Sequence, residues 1–316
     1  MGRGFRMNNG KASLCIFTYN QKEYIKDAVY AALQQDYSPL EIIISDDGST
    51  DGTYEIVKDL VKEYNGSHEV ICRQNNPNLG IREHINKVLY EVATGEYIFM
   101  AAGDDISRFD RVSKCVDIFE KFPHVMSISC LSEEVDAKLN VLNPDELWDG
   151  KYTIYNLSDY IYVTSFVMQS GDSRAIRRKV IDSFERLKWT RDEDIFLFIR
   201  SILVGSICYL REPIVKRRHH DTNVSANRSD KSLLNGMSKQ LYEDLDYAYK
   251  RKYINEKEYK KMRVKIGYVM DVFNIYSTSP FKNPYVFMIR CLKKIRLVRF
   301  YPPIKLEGNK LPTNLF

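Results

Sequence analysis

The chain has 316 residues, of which 44% are apolar and 28% charged, and its formal net charge is +5 at pH 7. This composition is typical of a soluble globular protein, and so mild a charge does not single out nucleic acid as a partner. The six cysteines are scattered without a C-x-x-C pair, which argues against a zinc ribbon and a disulfide framework and favours a reducing compartment.

No stretch reaches the roughly 18 uninterrupted apolar residues that a membrane span needs. The N-terminal sequence MGRGFRMNNG also lacks the apolar core of a signal peptide. We therefore expect a cytoplasmic protein.

Strand and helix patterns alternate along the first hundred residues. Apolar runs predict strands over 12–18, 40–45, 69–73 and 95–101, and amphipathic periodicity predicts helices over 24–34, 53–64 and 82–93. This alternation predicts an α/β fold with a mixed, mostly parallel sheet and helices on both faces. Ligands bind beyond the carboxyl ends of such strands, where three polar loops lie at 19–20, 45–53 and 102–105.

The remainder of the chain is less regular. We predict a helix from Asp110 to Phe122, a strand near 125–130 and an irregular excursion over 133–152. After about Ser225 the sequence changes to long polar helical stretches, such as 231–252 and 256–273. We therefore divide the chain into residues 1–11, a disordered or added N-terminus, residues 12–225, the main α/β domain, and residues 226–316, a helical C-terminal extension.

Two adjacent carboxylates follow the buried strand over 96–100, in the sequence AAGDDIS. Adjacent anions repel each other, and burying either one unpaired would cost several kcal/mol, so the pair needs water, hydrogen-bond donors or a cation beside it. A bound divalent metal meets this need. A solvated turn does so as well, because Gly-Asp-Asp is also ordinary loop chemistry.

Four segments carry a family resemblance: CIFTYNQKEYIKDAV, EIIISDDGSTDGT, NLGIREHINKVLYEVATGEYI and AAGDD occur in this order. Over roughly residues 12 to 225 the chain resembles a family 2 glycosyltransferase of the GT-A fold, of the kind that builds bacterial polysaccharides and glycans. The resemblance implies an inverting transfer from a nucleotide-diphosphate sugar to a hydroxyl of a glycan or lipid-linked glycan. It also implies Mn²⁺ or Mg²⁺ on the diphosphate.

The same resemblance assigns donor and metal residues. The donor nucleotide would be held by residues of the three loops and the helix after NLG: Thr18, Tyr19, Asn20, Asp47, Arg82 and Asp104. Asp105 would bind the metal, since a hard cation on carboxylate oxygen neutralises a diphosphate leaving group. The motif is GDD rather than Asp-x-Asp, which leaves the division of roles between the two carboxylates open, and a solvated helical face explains Arg82 nearly as well.

An inverting displacement also needs a base that takes the proton of the acceptor hydroxyl. The family pattern points to Asp194 in the sequence WTRDEDIFL, with Glu193 as the alternate; Asp192 fits a helix N-cap better. For the acceptor we single out Gly171 and Trp189, although core packing would explain both equally.

The sequence KRRHHDTNVS over 216–225 resembles the family's R-x-H-x-x-N-x-S segment. Its spacing to Asn223 selects His220 as a residue that completes the metal shell or contacts the diphosphate. Basic residues beside a histidine suit a diphosphate, but a structural histidine explains the position as well.

The C-terminal sequence YVFMIRCLKKIRLVRFY over 285–301 predicts a basic amphipathic helix. Such a helix could pack on the main domain, form a homodimer interface, or lie on the inner face of an anionic membrane, near a lipid-linked acceptor. The sequence leaves all three open.

Two other classes remain as alternatives. A sugar-nucleotide nucleotidyltransferase would share the fold, but it brings a glycine-rich basic loop near the first strand, where TYNQKEY stands here. A catalytically weak carbohydrate-binding relic is disfavoured by the presence of Asp47, Asp105 and Asp194. Nucleic acid is not expected as a partner.

Overall fold

The computed structural model describes residues 10–142, 149–162, 171–188, 193–221 and 232–278. The described strands are β1 Ala12–Thr18, β2 Leu40–Asp46, β3 Glu69–Gln74, β4 Tyr97–Ala102, β5 Ile106–Ser107, β6 Val125–Asp136, β7 Tyr152–Tyr155, β8 Ala175–Arg177 and β9 Ser206–His219. The described helices are α1 Ile25–Leu33, α2 Thr53–Glu63, α3 Gly80–Lys87, α4 Arg111–Lys121, α5 Leu157–Tyr162, α6 Arg178–Asp182, α7 Glu193–Val204, α8 Ser232–Lys250 and α9 Glu256–Thr278.

The strands form one sheet in the order β3-β2-β1-β4-β8-β6-β9-β5, and β7 pairs with β9. Strands β1 to β4 are parallel to one another; β8 enters antiparallel to both β4 and β6, and β9 runs parallel to β6. The predicted mixed sheet is confirmed, with its regular parallel half in the first hundred residues. The predicted strand near 125–130 is longer than expected, and the predicted helix over 82–93 is α3 followed by a π-helical turn, Val88–Val92.

The core consists of two hydrophobic clusters that lie on opposite faces of the sheet. Alternate side chains of a strand point to opposite faces, so Leu14 and Ile16 of β1 belong to one cluster and Cys15 to the other. Helices α1, α2 and α4 cover the first cluster, and α3, α5, α7, α8 and α9 cover the second. Burial on both faces explains why β1 and β2 are continuous apolar runs rather than alternating ones.

The polar helical stretches after residue 231 pack onto the same core. Leu241 and Leu245 of α8 and Met262 and Ile266 of α9 are buried in the cluster that also contains Cys15. The boundary near residue 225 stays a prediction. The N-terminus up to residue 9 and the basic helix predicted over 285–301 lie outside the described residues. Among the helices that are described, none is both long and apolar enough to cross a membrane.

A buried ion pair joins α8 to α7. Both oxygens of Asp244 accept hydrogen bonds from Arg200, at 2.7 Å from Nε and 2.9 Å from Nη2, and Arg200 Nη1 donates to the Tyr90 hydroxyl at 2.9 Å. The side chains are only 1% and 9% exposed. Removing one partner of such a pair leaves an uncompensated buried charge.

We predict that Asp244→Leu lowers the free energy of unfolding by about 3–5 kcal/mol, whereas the double variant Arg200→Met, Asp244→Leu recovers most of this loss. Urea unfolding followed by circular dichroism measures both. As a control, Glu256→Gln breaks the exposed ion pair with Lys260 and should leave the midpoint unchanged. If the single and double variants lost the same free energy of unfolding, the unpaired charge of Arg200 would not be the cause of the destabilisation.

Candidate active site

The parallel register brings the predicted donor loops to one edge of the sheet. Thr18, the last residue of β1, pairs with Asp46 of β2, and the preceding Phe17 pairs with Ala102 of β4. Backbone hydrogen bonds continue this arrangement beyond the strands: Asp47 N donates to Thr18 O and Gly103 N donates to Phe17 O, both at 2.9 Å. The three loops are therefore neighbours, as the alternation predicted.

Asp46 builds the turn that follows β2. It is fully buried, and its Oδ1 accepts hydrogen bonds from Gly48 N at 3.0 Å, Ser49 N at 2.8 Å and Gln74 Nε2 at 2.9 Å. Its Oδ2 accepts a hydrogen bond from Ser49 Oγ at 2.5 Å. Both oxygens of this carboxylate are occupied by the protein, so Asp46 is structural.

Gly52 occupies the N-cap position of α2, with a φ of +95° that favours glycine. Asp51 lies one residue earlier, and its carboxylate accepts hydrogen bonds from Thr53 N at 2.9 Å and Lys22 N at 3.0 Å. Asp51 thereby satisfies a backbone donor of the first helical turn and ties the loop after β1 to α2.

Asn20 joins the first two loops. Its backbone N donates to Ser49 Oγ at 2.8 Å, and its Oδ1 accepts a hydrogen bond from Thr50 N at 2.9 Å. The neighbouring Tyr19 is 49% exposed. Of these two predicted donor residues, the structure shows Asn20 holding the loops and Tyr19 presenting an accessible ring.

Asp47 is held in one orientation. It is buried, and its Oδ1 accepts hydrogen bonds from Asn75 Nδ2 at 2.7 Å and Leu79 N at 2.9 Å. Arg73 donates in turn to Asn75 Oδ1. Among the described residues no donor contacts Asp47 Oδ2, so this oxygen can accept a hydrogen bond from a ligand.

A polar layer that the sequence analysis missed lies beneath Asp47. His84 Nε2 is 2.7 Å from Ser45 Oγ, and Arg73 donates to the same hydroxyl. Burial lowers the pKa of His84 to about 4, so this histidine is neutral at neutral pH. The sequence RQNNPN, which begins with the last two residues of β3, was the available signal for Arg73 and Asn75, because polar residues at the end of a parallel strand lie at the ligand edge.

Asp104 and Asp105 are both 7% exposed. Arg218 N donates to Asp105 Oδ1 at 2.9 Å. Burial and the neighbouring carboxylates of Asp104 and Asp172 raise the pKa of Asp105 well above its usual value. The ionised pair therefore needs an added positive charge, and a divalent cation is a chemically suitable one.

His220 lies beside this pair. Its Nε2 is 2.9 Å from Asp104 Oδ2, and its ring stacks on Tyr24 with centroids 4.4 Å apart. Arg218 lies over the same Tyr24 ring, 4.9 Å from its centroid, and pairs with Asp27 at 2.8 Å. His220 is thus held at the carboxylate pair, while its role toward a metal stays a prediction.

In the described part of the chain, no group of three or more His, Cys, Asp or Glu side chains could hold a metal ion. The described protein side chains therefore do not form a complete metal shell by themselves. A carboxylate pair with a neighbouring imidazole nevertheless fits a cation that also binds a diphosphate, because the diphosphate supplies the missing oxygen ligands. The donor set therefore fits Mg²⁺ or Mn²⁺ bound together with the donor.

Glu193 and Asp194 are the first described residues of α7. Asp194 Oδ1 lies 3.4 Å from Arg174 Nη1. Gly171, predicted for the acceptor, lies against the same carboxylate, since a Cβ at this position would be 2.5 Å from Asp194 Oδ1. Trp189 lies outside the described residues.

Arg82 contacts the protein in two places. Its Nη1 donates to the Lys188 carbonyl at 2.9 Å, and its Nε pairs with Glu83 at 2.8 Å. It thereby ties α3 to the segment before Trp189. Its predicted contact with the nucleotide stays a prediction.

Comparison with known proteins agrees with this geometry. The family model described as glycosyl transferase family 2 matches residues 13–184. EpsE of Bacillus subtilis (strain 168) is 36% identical over 119 residues, which cover 37% of this chain and only 42% of EpsE. A crystal structure of S. aureus TarS in complex with UDP-GlcNAc matches with a TM-score of 0.61 at 18% identity, covering 81% of this chain and 71% of that one.

A second match is the structure of the mannosyltransferase PcManGT from Pyrobaculum calidifontis in complex with GDP-Man and Mn²⁺. Its TM-score is 0.50 at 14% identity, and the match covers 93% of this chain and 82% of that chain. At such identities the likeness concerns the fold alone. Fold and sequence together define a glycosyltransferase of the GT-A fold. The chain belongs to glycosyltransferase family 2, which favours this class over a nucleotidyltransferase.

Gly103 provides a test of the donor loops. A Cβ at this position would be 2.5 Å from Gln21 Oε1 and 2.7 Å from both Cβ and Oγ1 of Thr18. Thr18 Oγ1 is buried and has no hydrogen-bond partner among the described residues, so it is the atom that a donor could satisfy.

We predict that Gly103→Ala displaces Thr18 and weakens nucleotide binding about tenfold, which corresponds to ~1.4 kcal/mol. Isothermal titration calorimetry measures this loss. The matched control is Gly267→Ala in α9, where the nearest atom to a new Cβ is the Tyr242 hydroxyl at 3.3 Å, and affinity there should not change. Wild-type affinity in Gly103→Ala would exclude a donor contact at Thr18.

Proposed function

We propose that the protein transfers a sugar, with inversion, from a nucleotide-diphosphate donor to a hydroxyl of a glycan or lipid-linked glycan. One observation carries the proposal: Asp47 and the pair Asp104 and Asp105 follow the carboxyl ends of β2 and β4, and Asp194 contacts Arg174, whose carbonyl bonds Met100 N near the same end of β4. The segment around Gly171 connects the last two groups, because Gly171 packs against Asp194 and the adjacent Asp172 interacts electrostatically with Asp105.

The orientation of Asp47 supports a donor base that carries a ring N–H. Two donors occupy Oδ1, which leaves Oδ2 to accept a hydrogen bond from the ligand. Uracil, thymine and guanine offer a ring N–H, whereas the corresponding cytosine nitrogen is an acceptor and would be repelled. TarS was solved with UDP-GlcNAc and PcManGT with GDP-Man, and both donors contain such a base.

Asp105 would bind the metal, with Asp104 and His220 beside it. PcManGT was solved with Mn²⁺, and the raised pKa of Asp105 is that of a carboxylate short of positive charge. When bound, the metal would neutralise the negative charge that develops on the departing diphosphate. The hydrogen bond from Arg218 N fixes one oxygen of Asp105, so the orientation of the carboxylate is set before any ligand binds.

Asp194 would act as the base, with Glu193 as the alternate. It takes the proton of the acceptor hydroxyl while the hydroxyl oxygen attacks the anomeric carbon from the face opposite the diphosphate.

The domain boundary near residue 225, the cytoplasmic location, the peripheral membrane contact and the homodimer expected from the sequence stay predictions.

The donor assignment is tested by thermal shift with UDP, GDP, dTDP and CDP, each with and without Mn²⁺. We expect one of the first three nucleotides to stabilise the wild type in a metal-dependent manner, because a ligand that binds the folded state raises the melting temperature. Asp105→Asn should lose this stabilisation, and the control Asp117→Asn, an exposed carboxylate of α4, should keep it. Stabilisation by CDP alone, or an unchanged response in Asp105→Asn, would contradict the proposal.

A further inference from the structure

Arg174 is one of three arginines in the described chain whose side chains are fully buried. A buried guanidinium remains charged, so burial is costly unless a partner compensates the charge. One partner is Asp194, whose Oδ1 lies 3.4 Å from Nη1. The fold therefore places a permanent positive charge directly behind the proposed catalytic base.

The backbone of Arg174 is hydrogen-bonded to β4, the strand that precedes the proposed metal carboxylates. Its carbonyl accepts a hydrogen bond from Met100 N at 3.0 Å, in the strand that leads to Asp104 and Asp105. Its own N lies 3.4 Å from the Gly171 carbonyl. The position of the guanidinium is thus tied to β4, the same strand that positions the metal carboxylates.

Gly171 contributes a second contact with the same oxygen of Asp194. A Cβ on residue 171 would be 2.5 Å from Oδ1, 3.2 Å from Cγ and 3.3 Å from Oδ2. Any side chain at this position would therefore push the carboxylate away from Arg174. The absence of a side chain on Gly171 allows the close approach.

The two oxygens of Asp194 differ in their surroundings. Oδ1 is inaccessible to solvent, although 27% of the side chain is exposed. The exposed part of the side chain therefore does not include Oδ1. Because Oδ1 is buried, Oδ2 is the carboxylate oxygen that can face an incoming hydroxyl.

We propose that Arg174 and Gly171 together hold Oδ1 of Asp194 and so direct Oδ2 toward the acceptor hydroxyl. Arg174 is a positioning residue in this arrangement, and the inference rests on the proposed role of Asp194 as the base. During transfer the hydroxyl proton moves to Oδ2 and the hydroxyl oxygen forms the new bond to the anomeric carbon. The bond from that carbon to the diphosphate breaks, and its electron pair leaves with the diphosphate.

The test is a double-mutant cycle on the hydrolysis of UDP-GlcNAc and GDP-Man with Mn²⁺, in which water replaces the acceptor hydroxyl and gives its proton to the same base. Arg174→Met and Gly171→Ala should each lower kcat about 10- to 100-fold, since a misplaced catalytic group loses about this much. The KM for the donor and the thermal shift with nucleotide and Mn²⁺ should not change. Arg174→Lys, which keeps the charge, should recover part of the loss.

In the background of Asp194→Asn, neither change should lower kcat further by more than about twofold, because a residue that acts only through Asp194 has nothing left to position. The matched control is Arg177→Met. The Arg177 side chain is only 12% exposed, but its guanidinium bonds Glu96 and the Val125 and Phe119 carbonyls, away from Asp194. Its loss should lower kcat by the same factor in both backgrounds.

The proposal would be overturned if the fold-losses in kcat of Arg174→Met and Asp194→Asn multiplied in the double variant. A wild-type kcat in both Arg174→Met and Gly171→Ala would also overturn it. Should Arg174→Met fail to fold, Gly171→Ala carries the test, because its new Cβ meets the end of a side chain and not backbone. A wild-type kcat in Asp194→Asn would reject the base itself and this inference with it. An inactive Asp194→Asn beside fully active Arg174→Met and Gly171→Ala would reject the positioning role alone.

Discussion

The pairing of β1 with β2 on one side and β4 on the other is the constraint on which the site depends. Because the three strands are parallel and in register, Thr18, Asp46 and Ala102 reach the same edge of the sheet. The residues that follow them along the chain, Asp47 and Asp104, are therefore neighbours although 57 positions separate them in sequence. Burial of both faces of these strands makes a slip in register costly, and this holds the loops together without a ligand.

Charge is distributed unevenly around this edge. Arg217 pairs with Glu134 at 2.7 Å, and Arg218 pairs with Asp27 at 2.8 Å, so two nearby cations already have carboxylate partners. Asp104, Asp105 and Asp172 form a group of neighbouring carboxylates, and burial together with their repulsion raises the pKa of Asp105. Arg174 supplies a separate positive charge to Asp194. The proposed metal carboxylates and the proposed base, Asp194, thus have different electrostatic surroundings.

The parallel half of the sheet could be predicted from sequence because its strands are buried on both faces and are uniformly apolar. Strand β9 was missed because the sequence REPIVKRRH within it is charged and contains a proline, although β6 and β7 pair with it. Asp47, Asp104 and Asp105 could be proposed as site residues because they follow the predicted strands that became β2 and β4. Arg174 could not, because an arginine in GDSRAIRR suggests a solvated basic turn, and only tertiary packing shows that its side chain is buried.

The central claim is a single displacement with the leaving diphosphate and the base on opposite faces of the sugar. Proton NMR of the anomeric signal during hydrolysis of an α-linked nucleotide sugar tests it most directly, when read before the free sugar equilibrates. The account predicts that the first sugar released is the β-anomer. Release of the α-anomer first would mean retention of configuration and would contradict the assignment of Asp194 as a base that activates the incoming hydroxyl.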